Sequence, residues 1–462
     1  DLAAYEALAR QAQALGKTVV ALKVGKSAQA RAATISHTAS LAGDEAGAQA
    51  FLDRLGFLRA ETLPCFLETL KLLHVTGRLP NTRIATISCS GGEASLAADT
   101  AEGLALEFPP LNERQKTDLR TALGPMVSLA NPLDYHTYIW RDTQAMTRCF
   151  AAMMDPSLAM TLLIVDFPRS DRCSAKDWDC AISATIAAKH RTGANVGMVA
   201  TLPELMPEDV ADRLLAEAVV PFHGLTEALI ACAAASRQAV DHPPAVLKPK
   251  SSGTRPAHQL SEAQAKAALA TYGLRLPGFH RVTSADDAAE MAEKLGFPVV
   301  LKGEGIAHKT EAGAVRLNLP DSDSVRRAAQ GIGTSSFLVE EMVRNSVAEL
   351  LIGVVCDPAH GFVMTLAAGG ILTEVLEDRA SFLLPATDEM IEQALSSLRV
   401  FRLLAGYRGQ PPADHGAILR AVRSVEAYVI GEHFGLQEVE VNPLVCTTSD
   451  AIAVDALICR AS

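Results

Sequence analysis

FPVVLKGEGIAHKTEAGAVRLNL, residues 297–319, is the stretch on which the fold of this chain turns. Phe297-Pro298-Val299-Val300-Leu301 has the β-branched, apolar character of a buried strand, and the run closes on Lys302. A buried ammonium is costly unless it meets an anion, so an inward Lys302 invites a phosphate; an edge lysine facing water would cost nothing. Residues 306–315, Ile-Ala-His-Lys-Thr-Glu-Ala-Gly-Ala-Val, then form a polar, glycine-containing loop able to fold over phosphates. Its spacing is neither a Walker A motif nor a kinase glycine loop.

Downstream, Leu338-Val339-Glu340-Glu341-Met342-Val343 reads as a strand running into a hinge, where backbone groups and a carboxylate can meet an adenine edge; two solvated glutamates are the alternative. Glu438-Val439-Glu440-Val441-Asn442-Pro443-Leu444 alternates polar and apolar residues, which puts Glu438, Glu440 and Asn442 on one strand face. Asp455 follows on what reads as the paired strand. A carboxylate and an amide oxygen, with phosphates completing the shell, suit the hard octahedral preference of magnesium. A polar face open to solvent would show the same pattern.

Upstream, strand-like runs (TVVALKV 18–24, RIATISC 83–89, MTLLIVDF 160–167, NVGMVATL 195–202) alternate with helical stretches such as TQAMTRCFAAMM 143–154, and SADDAAEMAEKLG 284–296 follows the same habit. Stacked α/β units with a parallel sheet and crossovers are expected. The strongest punctuation is AVDHPPAVLKPKSSGTRPAHQ, residues 239–259, rich in Pro, Ser, Lys and Gly. A second break falls at GRLPNT near residue 80. The expected division is 1–79, 80–240, a linker 241–259, and 260–462.

The 462 residues suit about three domains, at roughly 100–200 residues each. With 49% hydrophobic and 21% charged residues and no apolar run long enough to span a bilayer, a membrane role is not expected. A net charge of −11 offers no general basic surface, so no nucleic-acid partner is expected and any phosphate handled is a small ligand. The nine cysteines are scattered without CxxC spacing, which suits reduced thiols in a cytoplasmic protein. The chain opens on Asp1 directly into helical periodicity and is read as a fragment of a longer protein.

Ser36-His37-Thr38-Ala39-Ser40-Leu41-Ala42-Gly43 places one imidazole in a loop of small residues. Neutral imidazole is nucleophilic and can accept a phosphoryl group; a surface histidine beside a Ser/Thr cap has the same sequence. In Ser88-Cys89-Ser90-Gly91-Gly92-Glu93, a strand ends in paired glycines before a helix. Free N–H groups and the helix dipole bind phosphate there, or the glycines simply make a tight turn.

Taken in order, these motifs resemble the ADP-forming acyl-CoA synthetases, relatives of succinyl-CoA synthetase, over nearly the whole chain. The loop SHTASLAG, 36–43, is similar to the family's phosphohistidine loop with Ala39 for the usual glycine; Asn131-Pro132-Leu133-Asp134 matches its NPxD element; PVVLK, HKTEAGAVRLNL, Ala348–Gly353, Gly369-Gly370, Tyr407-Arg408-Gly409 and EVEVNPL match its ATP-grasp part. The resemblance implies an α/β chain of flavodoxin-like succinyl-CoA-ligase subdomains followed by an α+β ATP-grasp module. It implies that His37 is phosphorylated, that His308 relays the phosphoryl group in some members, and that Glu440 orients the phosphohistidine. It further implies Ser90, Gly91 and Gly92 at a phosphate, Lys302, Gly313, Glu340, Val343 and Glu349 at the nucleotide, and Asn442 and Asp455 at Mg2+. The implied reaction joins a small carboxylic acid to CoA with ATP converted to ADP and phosphate, through phosphohistidine and an acyl phosphate. The family's CoA-binding domain would lie ahead of Asp1, as a partner or a missing segment, and homo-oligomers are common among relatives.

Three other classes share parts of this pattern. An amine-accepting ATP-grasp ligase would not need the His37 loop, a nucleotide or acyl-CoA sensing module commonly lacks the histidine, and a CoA-dependent lyase that first activates its acid would differ only in its products. On the ligase reading, His37→Ala abolishes acyl-CoA formation in the full-length enzyme and leaves nucleotide binding intact; turnover that survives the substitution removes the phosphohistidine.

Overall fold

The protein is seen as a computed structural model that describes residues 2–27, 29, 45–169, 171–237, 243–249, 257–305, 313–370 and 378–461. Two compact units emerge: residues 3–25 with 55–240, and residues 26–54 with 241–462.

In the first unit, a short parallel pair joins β1 (Val20–Leu22) to β2 (Leu58–Ala60). The run TVVALKV thus yields only three strand residues, all half-buried, because one neighbouring strand covers it. The main sheet contains β3 (Ile84–Ser88), β4 (Leu133–Asp134), β5 (Met160–Ile164), β6 (Val196–Ala200) and β7 (Val220–His223). Its strands are parallel in the order β4-β3-β5-β6-β7. Side chains alternate across a strand, so two cores result. Ile87, Leu133, Leu163 and Met198 meet the helices Glu113–Leu123, Thr143–Met153 and Asp179–Thr192 on one face. Ile84, Leu162, Val199 and Phe222 meet Leu63–Thr76, Gly91–Ala101 and Leu225–Ser236 on the other. This doubly wound, flavodoxin-like order reverses direction between β3 and β5, and the crevice outside their carboxyl ends is where such sheets bind ligands.

The second unit holds two antiparallel sheets. β8 (Ala257–Gln259), inside the Pro-rich stretch, is an exposed edge strand on the larger one. β9 (Phe279–Val282), β10 (Val299–Gly303), β11 (Val315–Leu319) and β12 (Phe337–Glu341) form a four-stranded sheet ordered β11-β10-β12-β9. Val299, Leu301, Phe337 and Val339 pack on the helices Ala285–Leu295 and Ser322–Gly331. Pairing of Val300 with Glu340 and of Lys302 with Leu338 sends Lys302 and Glu340 to the opposite face.

β13 (Ala348–Asp357), β14 (Gly361–Ala368), β15 (Arg379–Leu383), β16 (Leu436–Cys446), β17 (Ala451–Ala453) and β18 (Ala456–Ala461) complete the larger sheet, ordered β15-β14-β13-β16-β18-β8 with β17 on β16. Leu350, Ile352, Val439 and Val441 bury against the helices Asp388–Ser397 and His415–Glu432. The helix Glu45–Arg54, which follows the His37 segment, belongs to this unit. Its Arg54 is buried, with guanidinium N–H groups donating to the carbonyls of Pro244, Leu383 and Pro385. Among the described residues, no helix is long and apolar enough to cross a membrane.

Gly197, in the centre of β6, marks how tightly the first unit is packed. A Cβ there would stand 2.7 Å from Phe222 Cε2 and 3.0 Å from Leu162 Cδ2. Gly197→Ala is expected to cost about 1–3 kcal/mol in urea unfolding through overpacking; an unchanged midpoint would mean that this core yields freely.

Candidate functional site

Four buried charges stand where the two sheets of the second unit are linked. The helix Glu262–Ala270 begins with a capping box, in which the Ser261 hydroxyl accepts from Gln264 N and Gln264 Oε1 accepts from Ser261 N. Its buried residues are Glu262, Ala265, Lys266 and Leu269, the i, i+3, i+4, i+7 stripe that normally carries only apolar side chains. Two of those four are charged. Lys266, with no exposed surface, pairs with Glu262 at 2.8 Å and with Glu340 Oε1. Lys302 Nζ lies 2.8 Å from Glu262 Oε1 and 3.1 Å from Glu340 Oε2, and it donates to the Val454 carbonyl at 2.5 Å. Burial alone would lower the Lys302 pKa; the carboxylates of Glu340, Glu262 and Asp455 outweigh it and hold the ammonium above its ordinary range.

Lys302 is therefore inward and paired with anions, while Glu340 is its ion partner rather than a solvated hinge residue. Val343 instead lines a groove of about 550 Å³ past the end of β12, together with Glu341, Arg344, Arg275 and Thr447–Asp450. Gly313, at φ +64°, leads into β11 in the left-handed region that favours glycine.

The exposed side of the larger sheet carries the remaining polar candidates. Glu438, Glu440 and Asn442 alternate with buried Val439 and Val441, as their spacing predicts. Glu349 shares this half-buried face from β13. A Cβ on Gly370 would stand 2.4 Å from Glu349 Oε2, so the glycine, at φ +78°, lets backbone approach this carboxylate closely. Gly370 N donates to Asn442 Oδ1 at 3.3 Å, and Asn442 N donates to the Asp455 carbonyl at 3.3 Å. Burial raises the Glu440 pKa against the opposing hydrogen bond from Asn442. Among the described residues no group of three His, Cys, Asp or Glu side chains can hold a metal. Asn442 and Asp455 nevertheless meet through their backbones, and their side chains are a carboxamide and a carboxylate, hard oxygen donors of the kind Mg2+ takes alongside phosphate oxygens.

In the first unit, the helix Gly91–Ala101 starts just past β3, with Ser90 as N-cap making no side-chain cap bond and Gly91 and Gly92 as its first residues. The NPxD element fastens β4 beside it: Asn131 Oδ1 accepts from Thr86 N, and its Nδ2 donates to the carbonyls of Ile84 and Pro109. A Cβ on Gly91 would sit 3.3 Å from Asp134 Oδ2. Glu93 Oε2 is buried here without a hydrogen-bond partner. Burial, reinforced by Asp166 and Asp134, pushes the Glu93 carboxyl up to about 7. Such a group can give or take a proton at neutral pH. The sequence pattern had not distinguished Glu93, Glu262 or Lys266, although charges in a helix's buried stripe are a readable signal. His37 and His308 lie outside the described residues.

A family model described as an ATP-grasp domain matches residues 253–459, and one described as a succinyl-CoA ligase like flavodoxin domain matches residues 1–73. The chain is 27% identical to a trans-feruloyl-CoA synthase from an unknown prokaryotic organism, over 98% of this chain and 66% of that protein. It is 26% identical to the ADP-forming 4-hydroxybutyrate–CoA ligase of Nitrosopumilus maritimus, over 93% of this chain and 64% of the relative. Against the beta subunit of the ADP-forming acetate–CoA ligase I of Pyrococcus furiosus, identity is 28%, covering 43% of this chain and 90% of the subunit. The chain thus spans about two thirds of the length of the first two.

The Glu93 environment has a measurable consequence. Its folded pKa of about 7 exceeds the ordinary 4.5, so its contribution to stability is complete below about pH 4.5 and is lost as pH rises through 7. Thermal unfolding of Glu93→Gln should therefore lack this decline between pH 4.5 and 7.5; parallel pH profiles for the two proteins would contradict the burial.

Proposed function

We propose that the chain is one of the ADP-forming acyl-CoA ligases, and that it is the phosphoryl-transferring part of an enzyme that condenses a small carboxylic acid with CoA while ATP becomes ADP and phosphate. The observation that carries this proposal is the inward, anion-paired Lys302 beside a polar sheet face ending in Asn442 and Asp455. A buried, strand-borne ammonium is suited to nucleotide phosphates, where positioning and charge stabilisation supply most of the catalysis. The family models and the named ligase relatives support the same conclusion.

In this proposal residues 1–79 and 80–240 are the ligase subdomains, 241–259 the linker and 260–462 the ATP-grasp domain. Lys302, Gly313, Glu349 and the Glu340–Val343 segment serve the nucleotide. Asn442 and Asp455 hold Mg2+, which would neutralise phosphate charge when bound. His37 accepts the γ-phosphoryl group, with Glu440 orienting it and His308 available as a relay. Fastening of the helix Glu45–Arg54 into the ATP-grasp unit supports an acceptor segment that works with that module. The acid, activated as an acyl phosphate, is then attacked by CoA, and Ser90, Gly91 and Gly92 hold phosphate at the helix start. A CoA-binding domain is the partner this scheme needs.

Separating phosphorylation from thioester formation gives each step a good leaving group. Sustained ADP release, beyond the single ADP that phosphorylation of His37 liberates, should require Mg2+, CoA and an acid together when the CoA-binding partner is supplied; AMP release, or turnover indifferent to the acid, would contradict the ligase. Asn442→Ala should raise the Mg2+ concentration needed for phosphorylation by about tenfold or more, and an unaltered Mg2+ requirement would remove Asn442 from the metal site.

A further inference from the structure

The Lys302 ammonium is held from three sides before any nucleotide arrives, by two hydrogen bonds and an ion pair. Nζ has three donors, and three acceptors surround it: Glu262 Oε1 at 2.8 Å, Glu340 Oε2 at 3.1 Å and the Val454 carbonyl at 2.5 Å. To serve a phosphate, Lys302 must leave at least one of them. Val454 lies between β17 and β18 of the larger sheet, Glu262 opens the helix packed on β18, and Glu340 belongs to the smaller sheet. The Lys302 contacts therefore tie one sheet to the other.

When Lys302 turns away, two buried carboxylates need another cation. Glu262 and Glu340 are both nearly inaccessible to water, so neither can replace the lost partner with solvent at small cost. Lys266 touches both, Glu262 at 2.8 Å and Glu340 through Oε1, the oxygen that Lys302 does not hold. Its helix position fixes it there, one turn from Glu262 on the buried stripe.

We propose that Lys266 is a positioning residue of the nucleotide site: it holds Glu262 and Glu340 as counter-charge so that Lys302 can be handed from the carboxylates to a phosphate. The proposal rests on the nucleotide function of Lys302 put forward above. Among the described residues, Lys266 and Lys302 share Glu262 and Glu340, with Asp455 acting on Lys302 as well, and Lys266 bridging the two glutamates remains once Lys302 is engaged by the nucleotide. The phosphate charge then sits beside a cation no longer neutralised by its former partners. Without Lys266, Lys302 becomes the cation left between the two glutamates and is held back from the nucleotide.

The test is calorimetric titration of the whole chain with ADP in the presence of Mg2+. Lys266→Met should weaken binding by about tenfold or more. Adding Glu262→Gln to Lys266→Met leaves Lys302 facing one glutamate of the pair, and should restore affinity to within about threefold of the parent. A merely structural Lys266 predicts the opposite, since the second substitution removes a further hydrogen bond and binding falls again or stays low. Glu262→Gln alone frees a Lys302 proton and should tighten ADP binding, which decides the matter even where Lys266→Met does not fold. Unchanged affinity in Lys266→Met, no rescue in the double variant, or weaker binding in Glu262→Gln overturns the role of Lys266. Absence of ADP binding by the parent chain overturns the nucleotide reading itself.

Discussion

The alternation of charge among Glu262, Lys266, Glu340 and Lys302 is the constraint on which the second unit depends. Removing four charged groups from water is costly, and the cost is offset only while each ammonium lies against carboxylates at hydrogen-bond distance. Loss of one partner from such a set typically costs about 3–5 kcal/mol, because a buried charge is left unmatched. The cluster thus fixes how the helix Glu262–Ala270 and the strand β10 meet. It also makes the site responsive: an arriving phosphate is the kind of group that can compete for Lys302.

Both candidate sites arise from backbone geometry. In the antiparallel sheets, strict alternation assigns one face to a helix-covered core and leaves the other for polar chemistry, so Glu349, Glu440 and Asn442 share a surface because Leu350, Val439 and Val441 share the core. In the parallel sheet both faces are covered, and chemistry moves to the strand ends. There the helix Gly91–Ala101 begins beside Asp134 and carries Glu93, whose Oε2 is buried. One part of the chain uses a sheet face and the other a sheet end, for the same reason: those are the places a packed sheet leaves open.

The strands were legible where local preference and tertiary burial agree. RIATISC, MTLLIVDF and NVGMVATL each contain a strand of five residues, FPVVLK holds all but the last residue of one that ends at Gly303, the strand read at Leu338–Val343 is present as Phe337–Glu341, and the polar alternation of Glu438, Glu440 and Asn442 is present as read. TVVALKV was less informative, since a lone neighbouring strand supports only Val20–Leu22. Lys302 was legible as an inward lysine because five apolar residues precede it. Its partners were not, as Glu262 and Lys266 come from 40 and 36 residues earlier in an alanine-rich helix, and Glu340 read equally well as solvated. The raised carboxyl of Glu93 was invisible for a related reason, because Asp134 on β4 and Asp166 just past β5 reinforce the effect of burial from distant parts of the chain.

The central claim is that a nucleotide bound near Lys302 donates its γ-phosphoryl group to His37. Incubating the chain with γ-labelled ATP and Mg2+, then mapping retained label after acid and alkali treatment, tests it most directly. The account predicts acid-labile, alkali-stable label on the peptide containing His37; clear ATP binding with no such label would contradict it and leave a nucleotide-sensing module instead.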